Sequence, residues 1–183
     1  MQLELTGRDR KLFRHLQESG IFQAVDKHRI DQKDGVIIVP CADGDQMPDI
    51  FSHQIKLSLG AQPYPRIHPL SLNGGSLLIP YSSPLNKDDG EDRILLKHIR
   101  QAKHMKGFNT VVLYAHAPCG AAKNYELNLV TMLDILAEAK DRIKKEIPRM
   151  KVPCFFHIDH GDSIKRTYFV SRKHWRSIRT QYT

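Results

Sequence analysis

Short runs of β-branched and aliphatic residues alternate along this chain with longer segments in which apolar residues recur every three or four positions. The short runs have the composition and length of buried strands, and they occupy 36–39, 110–115, 152–158 and 167–170. The longer segments have the spacing of helices with one apolar face, and they occupy 47–59, 91–106 and 124–147. Strand followed by helix, repeated along the chain, predicts an α/β fold with a mainly parallel sheet flanked by helices.

The amino-terminal segment carries a helix start signal. Thr6 and Asp9 have the spacing of a capping box, and the apolar residues after them predict a short amphipathic helix that ends at Gly20. Residues 21–34 contain only isolated apolar anchors, so no regular structure is predicted there.

The middle of the chain is rich in residues that interrupt regular structure. Prolines within 63–69 argue against helix or strand in that segment. The apolar run 76–82 is interpreted as a short strand. Asp88 or Asp89 is expected to cap the helix that begins at 91.

A length of 183 residues suits one hydrophobic core, so we predict a single domain over 1–183. Within it we expect a helical arm at 1–30 and a basic tail at 171–183 that contains a final helix. No apolar run approaches the roughly 18 residues of a membrane span, and the start lacks an apolar signal core. We therefore expect a cytoplasmic protein that does not bind membranes.

Cysteine count and charge narrow the choice of function classes. Three cysteines are an odd and small set, which favours reduced thiols over a disulfide framework. Cys154 lies in an apolar run and is predicted to be a core thiol. A net charge of +8 raises the question of nucleic acid binding, but the positive residues are dispersed and no binding motif accompanies them. A solvated basic surface is the simpler interpretation.

Residues suited to metal binding follow two of the predicted strands. Cys41 comes shortly after the first strand, and His116 and Cys119 follow the second. In open α/β sheets, sites form outside the carboxyl ends of the strands, so these side chains are expected to meet at one edge. Two cysteines with one histidine are a known ligand set for catalytic zinc. The pattern therefore predicts a zinc site.

Two motifs carry a resemblance to a known family. Cys-Ala-Asp-Gly-Asp at 41–45 and His-Ala-Pro-Cys-Gly at 116–120 resemble the paired motifs Cys-x-Asp-Ser-Arg and His-x-x-Cys-Gly of the β-class carbonic anhydrases. The order of predicted elements over roughly 30–170 is also similar to that family's layout. The two motifs together are specific, whereas the remaining similarity is diffuse.

The resemblance implies roles for individual residues. Cys41, His116 and Cys119 are expected to bind Zn²⁺, and Asp43 is expected to be the catalytic carboxylate beside the metal. The resemblance also implies CO2 or bicarbonate as the small-molecule substrate and a homodimer as the basic unit.

The match departs from the family at two positions. Gly44 and Asp45 stand where the family has Ser and Arg, and in the family that Arg pairs with the Asp. An anion thus replaces a cation, and we include Asp45 with Asp43 among the predicted catalytic residues. Without its partner, Asp43 is expected either to become a fourth metal ligand or to pair with a cation from elsewhere, such as Arg66.

Two functions remain open at this point. The first is a zinc-dependent lyase or hydratase that uses activated water on CO2 or on another small electrophile. The second is a catalytically silent scaffold with structural zinc and a basic surface that binds a partner or nucleic acid. His157 and Asp159 fall on one face of a predicted strand, and we interpret them as partners of the site or as turn residues rather than as a second metal site.

Overall fold

The structure, a computed structural model, describes residues 4–25, 34–58, 66–86, 90–161 and 163–182. Within these ranges the strands are β1 (Phe22–Gln23), β2 (Val36–Val39), β3 (Ile67–Pro69), β4 (Val111–Ala117), β5 (Cys154–Asp159) and β6 (Lys165–Val170). The α-helices are α1 (Gly7–Glu18), α2 (Met47–Ser58), α3 (Glu91–Lys106), α4 (Gly120–Asn124), α5 (Leu129–Glu146) and α6 (Arg172–Ile178). Gly75–Leu78 and Arg179–Tyr182 form 3-10 helices.

One sheet contains these strands in the order β1-β6-β5-β4-β2-β3. β3, β2, β4 and β5 run parallel, whereas β6 and β1 are antiparallel to their neighbours. Parallel neighbours need crossover connections, and α2, α3 and α5 lie within those connections. The predicted α/β fold, with a mainly parallel sheet flanked by helices, is confirmed.

The helices cover the two faces of the sheet unequally. α2 packs on one face, where Ile50 and Leu57 lie in the same buried cluster as Ile38 and Tyr114. α1, α3, α5 and α6 contribute to a larger cluster on the other face. Side chains alternate between faces along a strand, so His116, two residues after Tyr114, lies on the α2 side.

The terminal helices are tied to this core. Thr6 caps α1 and exchanges hydrogen bonds with Asp9, so the capping box predicted from the sequence is confirmed. Trp175 of α6 is fully buried, and its Nε1 donates to Asp134 at 2.9 Å. The final helix predicted in the basic tail is therefore present and docks on α5.

β1 and β3 show that two predictions of irregular structure were wrong. Phe22–Gln23 is too short to give a period-two pattern, but it pairs with β6. Ile67–Pro69 pairs with β2 at the edge of the sheet, where a proline is tolerated because one side of the strand needs no N–H donor. Pairing with residues distant in sequence creates both strands.

The run 76–82 was wrongly predicted as a strand, because Gly75–Leu78 forms a buried 3-10 helix. A short apolar run that is buried on all sides does not by itself distinguish a strand from a helical turn. Gly74 and Gly75 both have positive φ angles, 90° and 52°. These glycines start the turn where a strand would have continued.

Several element boundaries also differ from prediction, and two of them bear on the site. The long helix begins at Leu129 rather than at 124, because Asn128 caps it by accepting a hydrogen bond from Thr131 N at 3.0 Å. β4 continues to Ala117, because Ala117 pairs with Ile158 of β5. His116 therefore lies inside the strand rather than after it.

Some predictions fall on residues that the structure does not describe. The end of the helix predicted over 47–59 and most of the proline-rich segment lie outside the described residues. Asp88 and Asp89 also lie outside them, but the N-cap position of α3 is Gly90 rather than either aspartate. Among the helices that are described, none combines the length and the apolar character needed to cross a bilayer.

Candidate metal centre

Cys41, His116 and Cys119 converge at the carboxyl end of the parallel strands. Cys41 lies two residues after β2, His116 lies near the end of β4, and Cys119 immediately precedes α4. One sulfur or nitrogen atom from each residue lies within 4.8 Å of the other two, and all three residues are buried. The structure thus brings the three residues predicted as ligands into one cluster.

The imidazole of His116 is buried, and neither Nδ1 nor Nε2 has a hydrogen-bond partner among the described residues. Nε2 lies 3.8 Å from Oδ2 of Asp43, which shows that this nitrogen faces the loop after β2. A buried polar atom without a partner costs about 1–3 kcal/mol. Two thiols and one imidazole form a soft ligand set that suits zinc. The residues present therefore fit a zinc ion.

The two thiols have different surroundings. Their mutual hydrogen bond and burial raise the pKa of Cys41, and Gly74 N donates to Cys41 Sγ at 3.1 Å. The same hydrogen bond lowers the pKa of Cys119 to about 7, assisted by the backbone N–H groups of Ala122 and Ala121 at the start of α4. Backbone donors thus hold both sulfur atoms toward the centre.

Gly75 lies very close to the backbone of Pro40 and Cys41. A Cβ atom on Gly75 would lie 2.4 Å from the carbonyl carbon of Pro40. Real Cβ atoms do not approach backbone so closely, so glycine is required there for steric reasons as well as for its φ of 52°. This close approach is what allows Gly74 N to reach the Cys41 sulfur.

Asp43 borders the cluster, whereas Asp45 contributes through its main chain. Asp45 N donates to Oδ1 of Asp43 at 3.0 Å, which leaves Oδ2 facing His116. The side chain of Asp45 is exposed. Of the two predicted catalytic residues, the structure therefore places only the Asp43 carboxylate beside the three ligands.

Arg66, the residue suggested as a partner for Asp43, does not pair with it. Its main-chain oxygen accepts from Val36 N at the start of β2, whereas Cys41 follows the end of that strand, about 16 Å away at roughly 3.3 Å per residue. The guanidinium of Arg66 donates to Asp34 O and lies 4.9 Å from the ring centre of Phe108. Within the described ranges, no Lys or Arg nitrogen forms an ion pair with Asp43.

Lys165 lies next to the loop that carries Asp43, and this position was not predicted from the sequence. Its Nζ donates to the main-chain oxygen of Asp45 at 2.5 Å and lies 3.1 Å from Oδ2 of Asp49 and 3.8 Å from Oδ2 of Asp159. It fixes the loop that carries Asp43 without neutralising Asp43. Lys165 begins β6, two residues before the start predicted from apolar periodicity, so its position next to this loop had no local signal.

Two cavities border the segment 117–122, which contains Cys119. One of about 560 Å³ is lined by Cys41 and Asp43 together with Asn73, Glu91 and Tyr125, among others. The other, of about 620 Å³, lies toward α1 and contacts Cys119 but neither Cys41 nor Asp43. The first cavity gives access to both a ligand and the carboxylate, so it is the candidate substrate pocket.

Behind His116 the structure places a second layer of polar side chains. His157 lies opposite His116 in the register of β4 and β5, and its Nδ1 lies 2.8 Å from Thr167 Oγ1. Gln46 Nε2 donates to Oδ2 of Asp159 at 3.3 Å. Of these residues, the sequence had singled out only His157 and Asp159, because helix and strand periodicity gives no signal for Gln46 or Thr167.

Comparisons with known proteins give a likeness in fold only. No family model and no curated protein matches this sequence. The β-carbonic anhydrase CcaA matches with 12% identity and a TM-score of 0.45, over 90% of this chain and 83% of that chain. A β-carbonic anhydrase from Trichomonas vaginalis matches with 10% identity and a TM-score of 0.43, over 91% and 99%. One of two tetrameric β-carbonic anhydrases from Sordaria macrospora matches with 13% identity and a TM-score of 0.40, over 87% of this chain and 87% of that chain. These values do not establish the family.

Proposed function

We propose that Cys41, His116 and Cys119 bind one zinc ion and that this centre catalyses the addition of water to a small electrophile, as a lyase or hydratase of the carbonic anhydrase type. The observation that carries the proposal is the convergence of two thiols and an unpartnered imidazole within 4.8 Å. The resemblance of the two motifs at 41–45 and 116–120 supports it. Zinc held there would lower the pKa of water toward neutrality and so supply a nucleophile.

The protein's own residues contribute orientation and proton transfer. Asp43 is proposed as the proton acceptor, because Asp45 N holds Oδ1 and directs Oδ2 toward the ligand cluster. Lys165 holds the main chain of the same loop through Asp45 O. The Asp45 carboxylate adds negative charge near the centre where the family pattern has a cation.

The proposed substrate is an uncharged molecule such as CO2 or a small carbonyl or thiocarbonyl compound. The charged side chains that the structure places on the wall of the 560 Å³ cavity are Asp43 and Glu91. Two carboxylates disfavour an anion in that space. The cavity has room for molecules larger than CO2, so a larger electrophile is an equal candidate.

Zinc analysis and stopped-flow CO2 hydration test this proposal. We expect about one zinc ion per chain in the purified protein and slow CO2 hydration. Asp45→Arg is expected to hydrate CO2 faster, because it restores a cation next to Asp43, whereas Asp45→Asn, the matched control, removes charge without adding a partner. A folded protein that takes up no zinc would contradict the metal centre. A wild type as fast as Asp45→Arg would contradict the role given to the missing cation.

One observation favours a second candidate, a scaffold with structural zinc. Asp43 Oδ2 lies beside His116 Nε2 and has no Lys or Arg partner among the described residues, so it is placed to become a fourth ligand and close the site. A basic surface for nucleic acid has less support, because Arg172 and Arg176 pair with Asp141 and Arg179 pairs with Asp134. Zinc without turnover of any small electrophile, together with a salt-sensitive gel shift, would favour this candidate.

A homodimer and a cytoplasmic location also remain proposals. The dimer rests on the motif resemblance alone, and sedimentation analysis tests it. The location is supported by three cysteines that are free and buried, because thiols that serve as metal ligands persist where the compartment is reducing.

A further inference from the structure

We propose that His116, His157 and Gln46 enclose an internal water molecule behind the metal centre, and that this water orients the His116 imidazole. The ligand is thus a single water held by three side chains on the α2 side of the sheet. The inference rests on the proposed function, because His116 carries its proton on Nδ1 when Nε2 binds zinc; the count of internal waters and the zinc content are measured separately.

The first observation concerns unsatisfied polar atoms. Among the buried side-chain nitrogen and oxygen atoms that the structure describes, four lack a hydrogen-bond partner: Gln46 Oε1, His116 Nδ1, His116 Nε2 and His157 Nε2. His116 Nε2 faces Asp43 and the metal ligands. The proposed zinc ion accounts for that atom but leaves three others, and a buried polar atom that stays without a partner destabilises the fold.

The second observation is that the three remaining atoms belong to neighbouring side chains. His116 and His157 are register partners in parallel strands, so their side chains emerge on the same face. Asp159, two residues after His157, lies on that face as well and accepts from Gln46 Nε2 at 3.3 Å. Nε2 is therefore directed to the carboxylate, and Oε1 of the same amide must point elsewhere.

Donors and acceptors balance if one water is present. His116 bound to metal through Nε2 carries its proton on Nδ1, which donates to the water. The water donates to Gln46 Oε1 and to His157 Nε2. His157 then carries its proton on Nδ1 and donates to Thr167 Oγ1, which lies 2.8 Å away. The water makes three hydrogen bonds, the usual number for a buried water.

The remaining contacts of His157 and Asp159 agree with this arrangement. His157 is buried, and Nδ1 contacts Thr167 Oγ1 at 2.8 Å, so Nε2 is the nitrogen left to accept a hydrogen bond. Asp159 is held by Gln46 and Gly161 N and lies 3.8 Å from Lys165 Nζ, which anchors the far side of the network. His157 and Gln46 are thus positioning residues that act through the water on His116.

Metal affinity is expected to depend on this network. Partners that hold the second nitrogen of a ligating histidine fix the orientation of its ring, and their loss weakens metal binding by about 10- to 100-fold. In this protein the proposed partner of His116 Nδ1 is a water molecule rather than a carboxylate or a carbonyl. Gln46 and His157 hold that water and so orient the ring together.

A matched pair of glutamine variants tests the proposal. Gln46→Leu removes one acceptor of the water, whereas Gln54→Leu removes a glutamine that is also buried but bonds to Tyr114 and Ser58 instead. Oxygen-17 relaxation dispersion counts long-lived internal waters, and chelator competition measures zinc affinity. We expect Gln46→Leu to lose one long-lived water and to bind zinc about 10- to 100-fold more weakly, and Gln54→Leu to show neither change.

Further variants keep the test decisive if Gln46→Leu does not fold. His157→Phe is expected to reproduce the loss and His157→Gln to restore it in part, whereas His53→Phe, at a histidine bonded to Tyr114, is expected to have no effect. An unchanged count of internal waters in Gln46→Leu and His157→Phe would overturn the water site. Loss of the water with unchanged zinc affinity would overturn its orienting role, and two zinc ions per wild-type chain would show that a second metal occupies the space. A wild type that binds no zinc would defeat the proposed function but leave the water count as a separate result.

Discussion

Two buried polar clusters in this protein differ in whether their polar groups have hydrogen-bond or ion-pair partners. Arg142 pairs with Asp92 at 2.7 Å and with Glu146 at 2.8 Å, and it donates to the main-chain oxygen of Ile79. In this cluster each charge has a partner, and α3, α5 and the Gly75–Leu78 helix are held together. At the metal centre, by contrast, both nitrogens of His116 lack partners among the described residues.

The difference separates a structural cluster from a candidate binding site. Folded proteins leave few buried polar groups unsatisfied, and a set of them in one place indicates that a ligand completes it. The Arg142 cluster needs nothing further and is expected to contribute stability alone. The centre around His116 is expected to contribute little stability until it has bound zinc and the internal water.

Breaking the Arg142 cluster should give the largest loss of stability. Arg142→Met leaves Asp92 buried without its cation, and removal of one partner of a buried ion pair costs about 3–5 kcal/mol. Urea unfolding measures the loss, and zinc binding is expected to be unchanged. Arg172→Met, which breaks a half-exposed pair with Asp141, is the control and should cost less than about 1 kcal/mol. Equal losses in the two variants would show that the Arg142 cluster is no more than a surface pair.

Removing a metal ligand should affect zinc binding directly, and stability only through the loss of bound zinc. Structural zinc binds with about 10–16 kcal/mol shared among its ligands, or roughly 3 kcal/mol for each. Cys119→Ser is therefore expected to weaken zinc binding by about 100-fold or more, measured by chelator competition. Cys154→Ser changes a thiol that is equally buried but lies outside the cluster, and it should retain zinc. Similar affinity in Cys119→Ser and the wild type would exclude Cys119 as a ligand.

Filling the space at Gly75 should disturb both stability and the centre. Gly75→Ala forces a positive φ on a residue with a side chain, at about 1–3 kcal/mol, and pushes Cβ into Pro40. We expect lower stability in urea and weaker zinc binding, because Cys41 follows Pro40. Gly44→Ala is the control, since its Cβ would meet nothing within 4 Å. An effect of Gly75→Ala on stability alone would show that the close approach does not position Cys41.

Acid should reduce stability through the satisfied cluster. Burial alone would raise the pKa of Asp92, but the hydrogen bonds that its carboxylate accepts from Arg142, from the Arg93 main chain and from Asn86, together with the charge of Arg142, outweigh burial and lower the pKa below its ordinary value. A lowered folded-state pKa gives stability that is present above the unfolded-state value and is lost as pH falls through the folded-state value. Unfolding free energy should therefore decline from about pH 4 downward, and this decline should be smaller in Arg142→Met. An equal decline in that variant would assign it to other carboxylates.

The convergence of Cys41, His116 and Cys119 could be predicted from the sequence because its signals are local. Cys41, His116 and Cys119 stand at the ends of apolar runs that are strong enough to be recognised as buried strands. Parallel order then brings the strand ends to one edge without further information. The Thr6 and Asp9 capping box and the final helix were predictable for the same reason.

What the sequence did not predict depends on residues that meet only in the fold. Lys165 reaches Asp45 because β6 returns antiparallel to β5, and Gln46 meets Asp159 across the sheet face. β1 and β3 exist through pairing with distant strands. Apolar periodicity gives no signal for such contacts. The lack of a Lys or Arg partner for Asp43 among the described residues, and the unpartnered atoms behind His116, are therefore visible only in the fold.

X-ray absorption at the zinc edge, combined with metal analysis of the purified wild type, tests the central claim most directly. We predict about one zinc ion per chain with two sulfur ligands at about 2.3 Å and at least one imidazole nitrogen at about 2.0 Å. A folded protein that takes up no zinc, or zinc bound without sulfur, would contradict the assignment of Cys41, His116 and Cys119 as the metal centre.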